Sequence, residues 1–205
     1  MGYRIGMLGG SFDPVHNAHL AIANRARLGR GLDKVLLIPA AHPPHKAGRV
    51  LTAAEHRLAM LRLAVAGLEG LEPCDIEISR GGVSYTVETV RSLLAQSPAG
   101  TEVFLIVGAD MAADLPTWRE IGNLMKLCHV IPFNRGGYHQ DYLAGLDAKL
   151  GADVVADMRR LMISVPPMDV SSTLIRRFVN EGGDISSLVP EPVAAYITNH
   201  GLYRD

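Results

Sequence analysis

Short apolar runs recur along the chain, separated by longer stretches in which apolar residues return at helical spacing. The compact runs are Ile5–Leu8, Val35–Ile38, Val103–Val107, Leu127–Ile131 and Leu161–Val165, with a weaker one near Cys74–Ile78. Runs of this length without polar alternation read as strands buried on both faces. The stretches between and after them predict helices at Leu20–Leu28, Thr52–Ala66, Thr86–Leu94, Tyr138–Leu150, Ser171–Glu181 and Pro192–His200. In Thr86–Leu94, Val87, Val90, Leu93 and Leu94 fall on one face. Thr52 followed by Glu55 has the pattern of a capping box, and Gly182-Gly183 suits a helix C-terminus. Alternation of doubly buried strands with helices predicts an α/β fold: a doubly wound, mostly parallel sheet with helices on both faces. Ligands of such sheets bind beyond the C-terminal ends of the strands, where strand order reverses.

A chain of 205 residues is expected to form a single domain spanning 1–205, with a small C-terminal helical part from about Ser171 on. The apolar share of 48% suffices for a full core, and the net charge of −1 leaves no basic footprint for nucleic acid. Cys74 and Cys128 each lie in or beside an apolar run, which reads as buried free thiols in a reducing compartment. Met1-Gly2-Tyr3-Arg4 leads straight into the first strand with no signal-peptide pattern. No apolar run approaches the ~18 residues of a membrane span. A cytoplasmic location without membrane contact is therefore expected. The longest irregular stretch, Pro39–Leu51, contains Pro43-Pro44-His45-Lys46, and a loop that long in a small domain is usually functional.

The candidate chemistry sits just after the predicted strands. Gly9-Gly10-Ser11-Phe12-Asp13-Pro14-Val15-His16-Asn17-Ala18-His19-Leu20 is a glycine-rich strand-to-helix turn. Its free backbone N–H groups and the positive end of the helix dipole suit an anion, typically phosphate. His16 and His19 share a face of the first helical turn, where imidazole donors would meet phosphoryl oxygens. They also fit an ordinary helix start. A metal site is less favoured, because no cysteine or carboxylate stands at ligand spacing beside them. Val170-Ser171-Ser172-Thr173-Leu174-Ile175-Arg176 opens a later helix with Ser171 or Ser172 as its cap, forming a second anion site or a plain capped helix. Gly108-Ala109-Asp110 places a carboxylate at a strand end, suited to ribose hydroxyls or to capping the next helix at Asp110. Trp118 reads either as a core-packing indole or as a stacking platform. Thr86 is a good N-cap residue for its helix, and Arg135 follows a strand.

The first of these motifs resembles G-x-F-D-P-x-H-x-G-H of the nucleotidyltransferase superfamily. Joined to Val170–Arg176, which resembles I-S-S-T-x-I-R, it is similar to the bacterial nicotinate-nucleotide adenylyltransferases. The resemblance runs from Ile5 to Arg176 and extends to Pro43–Lys46, Ser84-Tyr85-Thr86 and the L-x-x-W ending at Trp118. Ser11 stands where threonine is usual, Ala18 where glycine is usual, and Gly136 where proline is usual.

The resemblance implies a Rossmann-like nucleotidyltransferase fold and adenylyl transfer from ATP to nicotinate mononucleotide. His16, His19 and Arg176 would be catalytic. ATP would be met by Gly9, Gly10, Ser11, Phe12, His19, Gly108, Asp110, Ser172, Thr173 and Arg176, and the mononucleotide by Ser11, His45, Lys46, Tyr85, Thr86, Trp118 and Arg135. Mg²⁺ would arrive on the ATP phosphates with no dedicated protein ligands. Nicotinamide mononucleotide as substrate, pantetheine-phosphate adenylyl transfer and a non-catalytic nucleotide sensor are the alternatives. A homo-oligomer is compatible with the chain.

Overall fold

Two apolar faces organise the structure, one on each side of a parallel sheet. The computed structural model describes residues 2–43, 51–135 and 141–204, with the backbone alone of Arg135. Its strands are β1 (Arg4–Gly10), β2 (Lys34–Pro39), β3 (Leu71–Pro73), β4 (Glu102–Gly108), β5 (His129–Arg135) and β6 (Ile163–Val165). Among the described residues they form one sheet in the order β3-β2-β1-β4-β5-β6, every pair parallel. Alternation along β4 shows why both faces are covered. Val103, Leu105 and Val107 enter one core cluster, and Phe104 and Ile106 enter the other.

The face holding Phe104 is covered by α1 (Asn17–Arg30), α2 (Ala54–Val65), α9 (Ser172–Asn180) and α10 (Glu191–Asn199). The opposite face is covered by α3 (Ile76–Arg80), α4 (Thr86–Ala95), α5 (Ala109–Ala113), a 3-10 turn (Leu115–Thr117), α6 (Ile121–Leu127) and α8 (Ala152–Leu161). A short α7 (Asp147–Leu150) precedes α8. This is the doubly wound arrangement that the hydrophobic pattern predicts. Strand order reverses at β1, which pairs with β2 on one side and β4 on the other, so the ligand crevice belongs at its C-terminal end.

Several local expectations are corrected. The weak run Cys74–Ile78 is not a strand: β3 lies earlier, pairing Leu71 with Val35, and the chain turns at Asp75 into α3. An edge strand that buries only Leu71 carries little apolar signal, whereas Ile76 and Ile78 imitate strand alternation on a helical turn. Leu127 closes α6 and Leu161 closes α8, so both predicted strands start later. In each case an apolar helix end merges into an apolar strand without a polar break.

The predicted helix Tyr138–Leu150 is reduced to α7. Residues 136–140 lie outside the described residues, and Gly145 and Gly151 take positive φ of 76° and 95° on either side of α7. The longer α8 that follows has no counterpart in the sequence-based prediction. Thr52 does not form a capping box. Ala53 holds the cap position of α2, while the Thr52 carbonyl accepts from Arg57 Nε at 2.8 Å.

The helix starts at the C-terminal edge of the sheet carry the functional motifs. α9 is set at both ends by its own sequence. Ser171, not Ser172, is the cap, its Oγ accepting from Leu174 N–H at 3.1 Å. At the other end Gly182 adopts φ 73°, and the N–H groups of Gly182 and Gly183 return to the carbonyls of Val179 and Phe178. Ser171→Ala is therefore expected to lower stability by about 1 kcal/mol, read as a lower urea midpoint with an unchanged denaturant slope.

Candidate active site

The turn between β1 and α1 is built from the inside outward. Phe12 is buried with a left-handed φ of 46°, and its ring lies under Gly10, where any Cβ would stand 3.2 Å from ring carbons. A side chain at Gly10 would press on that ring. No heavy atom of the described residues lies within 4 Å of where a Cβ on Gly9 would sit, so among them this position is open.

His16 holds the cap position of α1 and is 4% exposed; His19 is half-buried. The backbone N–H of His16 donates to Nδ1 of His19 at 3.2 Å, and the two rings stack with centroids 3.7 Å apart. Because Nδ1 of His19 accepts, the neutral ring carries its proton on Nε2, the nitrogen able to donate to an anion. The ring of Phe12 meets His19 edge-on at 4.9 Å. Ala18, in the usual place of glycine, is 6% exposed and belongs to the core cluster. Its methyl group packs into the core.

The start of α9 is laid directly on this turn. Ser172 Oγ donates to the Pro14 carbonyl at 2.9 Å. Arg176 donates to the Asp13 carbonyl and, at 3.1 Å, to Thr173 Oγ1, with its guanidinium 3.9 Å from the Asp13 carboxylate. Two helices therefore begin around Pro14, and both present positive dipole ends there.

The remaining candidate residues flank the turn. Gly108 and Asp110 lie at the end of β4, next to β1. Helix α5 begins at Ala109 with Gly108 at the cap position, so Asp110 is not the N-cap. Its carboxylate folds back over Gly108, where a Cβ would stand only 2.4 Å from Asp110 Oδ1. Tyr85, not Thr86, occupies the cap position of α4, and Thr86 is the first helical residue. The segment before it is zipped to the end of β2. Ala41 N–H donates to buried Ser84 Oγ at 2.9 Å, and Ser84 N–H to the His42 carbonyl at 3.0 Å. Trp118 closes the 3-10 turn and packs, half-buried, on the same cluster as Tyr85. The Arg119 guanidinium covers the Tyr85 ring at 4.5 Å, and Arg91 of α4 pairs with Glu120 at 2.6 Å, tying the Trp118 segment to α4. Arg91 and Asn123 hold the Glu120 carboxyl down at about 2. His45 and Lys46 lie outside the described residues, as does the side chain of Arg135, whose backbone ends β5.

Behind the turn lies a polar layer that the motif reading missed. Arg57, on the inner face of α2, is 2% exposed. Its Nη1 donates to the carbonyls of Ser11 at 2.9 Å and Ala40 at 2.8 Å, and its Nε to that of Thr52. Asp13 is equally buried and accepts at Oδ1 from the Tyr203 hydroxyl at 2.8 Å. Burial lowers the pKa of Arg57, and the Asp13 carboxylate opposes that shift. Burial, then the Asp13 charge, pushes the Tyr203 hydroxyl well above its ordinary value, so it stays a donor. Asn17 at the start of α1 donates from its backbone to Leu188 and from its side chain to Ser187, each at 3.0 Å. The residues after Phe178 thus do more than close the fold: they bind the turn at Asp13 and the start of α1 at Asn17. The one sequence signal was Arg57 directly before the apolar positions Leu58, Met60 and Leu61; nothing marks Tyr203.

Comparison with known proteins agrees with this geometry. A model of the cytidylyltransferase-like family matches residues 7–178. The protein named probable nicotinate-nucleotide adenylyltransferase in Roseiflexus sp. (strain RS-1) is 43% identical over 203 residues, covering 98% of each chain. Its namesake in Dehalococcoides mccartyi is 38% identical over 201 residues, 98% of this chain and 97% of the relative. In fold, the chain is similar to Plasmodium falciparum nicotinic acid mononucleotide adenylyltransferase complexed with NaAD. The TM-score is 0.76 at 19% identity, over 98% of this chain and 97% of that one. The crevice at the sheet's switch point, its paired histidines and these full-length relatives lead to one assignment: the chain belongs to the nicotinate-nucleotide adenylyltransferase family, within the wider cytidylyltransferase-like family.

Proposed function

We propose that the protein transfers the adenylyl group of ATP to nicotinate mononucleotide, forming nicotinate adenine dinucleotide and pyrophosphate in NAD biosynthesis. The observation that carries this reading is the stacked pair His16–His19 at the end of β1, with Arg176 and Ser172 of α9 on the same turn. A 5′-phosphate oxygen of the mononucleotide attacks the α-phosphorus of ATP in line. The bond from that phosphorus to the β-phosphate oxygen breaks, and the electron pair leaves with pyrophosphate. No covalent enzyme intermediate is needed, so catalysis is positioning plus charge stabilisation.

In this reading His19 donates from Nε2 to the α-phosphate, and His16 orients it. Ser172, Thr173 and Arg176 hold the leaving pyrophosphate. Gly9, Gly10, Ser11 and Phe12 form the backbone cradle, and Gly108 and Asp110 meet the ribose. Tyr85, Thr86 and Trp118, with Ser11, His45, Lys46 and Arg135, receive the mononucleotide. Among the described residues no group of three or more His, Cys, Asp or Glu could hold a metal ion. The groups converging on the turn are imidazoles, hydroxyls, a guanidinium and backbone N–H groups, which suit phosphate oxygens. Mg²⁺ carried by ATP neutralises phosphate charge when bound. The proposed location is the cytoplasm, in keeping with two free thiols, of which Cys128 is buried. Among the described residues no helix is long and apolar enough to cross a membrane.

Pyrophosphate release with ATP and nicotinate mononucleotide tests the assignment. His19→Ala is expected to keep its fold and lose at least about 100-fold in kcat, some 2.7 kcal/mol of barrier; a folded variant within about threefold of wild type would remove His19 from the chemistry. EDTA should stop turnover and millimolar Mg²⁺ restore it, whereas depletion of zinc alone should have no effect. The acid is expected to be preferred over nicotinamide mononucleotide, because the N-terminus of α4 favours a carboxylate and repels an amide NH₂. Charge-assisted hydrogen bonds of about 1.5–3 kcal/mol each make a roughly 100-fold ratio of kcat/KM reachable with two contacts. Thr86→Val should shrink that ratio and Trp118→Phe leave it nearly unchanged, as stacking serves both rings. Equal kcat/KM for the two mononucleotides in wild type would assign a dual-specificity enzyme instead.

A further inference from the structure

We infer that Tyr203 and Arg57 are positioning residues for the adenylyl transfer proposed above, holding the histidine-bearing turn in its reactive shape from behind. The inference rests on that functional reading, but Arg57 and Tyr203 themselves lie outside the family motifs. Phe12 is the hinge of the argument. It is a bulky residue at φ 46°, a backbone region such side chains rarely occupy. Such a conformation persists only where its neighbours over-determine it. Here the residue before it is held by Arg57 at the Ser11 carbonyl, and the residue after it by Tyr203 at the Asp13 carboxylate. The Phe12 ring touches His19, and His19 accepts from the His16 backbone, so the two anchors reach the imidazoles through one packed ring and one turn.

Arg57 cannot act on substrate directly, because its guanidinium is enclosed and committed to carbonyls. Tyr203 is itself left-handed, at φ 63°, two residues beyond Gly201 in the turn after α10, and its hydroxyl reaches back to Asp13. The tail is thereby bound to the turn at the far end of the chain. Releasing either anchor lets Phe12 relax toward ordinary φ and displaces the His19 ring. Displacements of about 1 Å at a reacting centre can cost 10²-fold in rate.

The test uses Tyr203→Phe, which removes one oxygen and keeps the ring, and Arg57→Lys, which keeps the charge but not the fork. Two readouts are taken well below the unfolding midpoint. Long-range ¹H–¹⁵N spectra of the imidazole rings are recorded without substrate, and kcat and KM for ATP are measured with nicotinate mononucleotide. The expected result is that His16 and His19 signals move in both variants while His129, at the opposite edge of the sheet, does not. In parallel, kcat per folded molecule should fall at least tenfold with KM for ATP within about threefold. A role in stability alone would lower the unfolding midpoint and leave both readouts unchanged. Unmoved His16 and His19 signals in folded Tyr203→Phe, or a kcat within twofold of wild type, overturn the inference; if Arg57→Lys does not fold, Tyr203→Phe decides. A wild-type protein without adenylyl transfer defeats the functional reading only, and the imidazole spectra then decide whether the anchors set the turn.

Discussion

The structure depends on a buried guanidinium that has to be satisfied. A charge taken out of water costs several kcal/mol unless it is paired and hydrogen-bonded. Arg57 meets that requirement with carbonyls from three separate segments and with the field of the Asp13 carboxylate. The end of β1, the end of β2 and the approach to α2 are therefore joined at one point. None can shift without leaving a buried donor unpaired. The histidine-bearing turn is the outer surface of this joint.

The sheet supplies the second constraint. With β1 between β2 and β4, the chain leaves the C-terminal edge toward one face after β1 and toward the other after β4. The crevice between those departures is lined by helix starts, whose unsatisfied N–H groups favour anions. Helix α9 comes to the same crevice from late in the chain, and Ser172 and Arg176 bind the turn's own carbonyls. Two positive helix ends and two imidazoles then face one place with little net charge on the protein as a whole. The electrostatics are local and directional, which suits a reaction in which negative charge moves between phosphate groups.

Packing separates the roles of residues that look alike in the motif. Gly9 and Gly10 are adjacent glycines, yet one is open among the described residues and the other makes room for the Phe12 ring. Ser171 and Ser172 are adjacent serines, yet one caps its own helix and the other ties that helix to the turn. Ala18 stands where glycine is usual, and its side chain is buried in the core cluster. In each case the difference lies in which way the Cβ position faces.

Local interactions explain what could be read in advance. Doubly buried strands require apolar residues in succession, so the parallel sheet was legible, and so were the turns after β1, after β4 and before α9. Their glycines, hydroxyls and histidines act within a few residues of where they stand. Strand and helix limits were less legible wherever an apolar helix end ran into an apolar strand, as at Leu127 and Leu161, or where an edge strand buried a single leucine. The caps read at Thr52 and Asp110 gave way to other demands on those positions: the Thr52 carbonyl serves Arg57, and Asp110 covers Gly108; at α4 the cap position falls one residue before Thr86, on Tyr85. The polar layer of Arg57, Asp13 and Tyr203 was out of reach altogether. Asp13 and Tyr203 are 190 positions apart, and no periodicity connects them. The sequence by itself determined the alternating pattern and the grouping of glycines, hydroxyls and imidazoles at the strand ends, because both follow from neighbouring residues. Only the tertiary structure decided what holds that chemistry in place, because a buried charge takes its partners from whatever the fold brings within hydrogen-bonding distance.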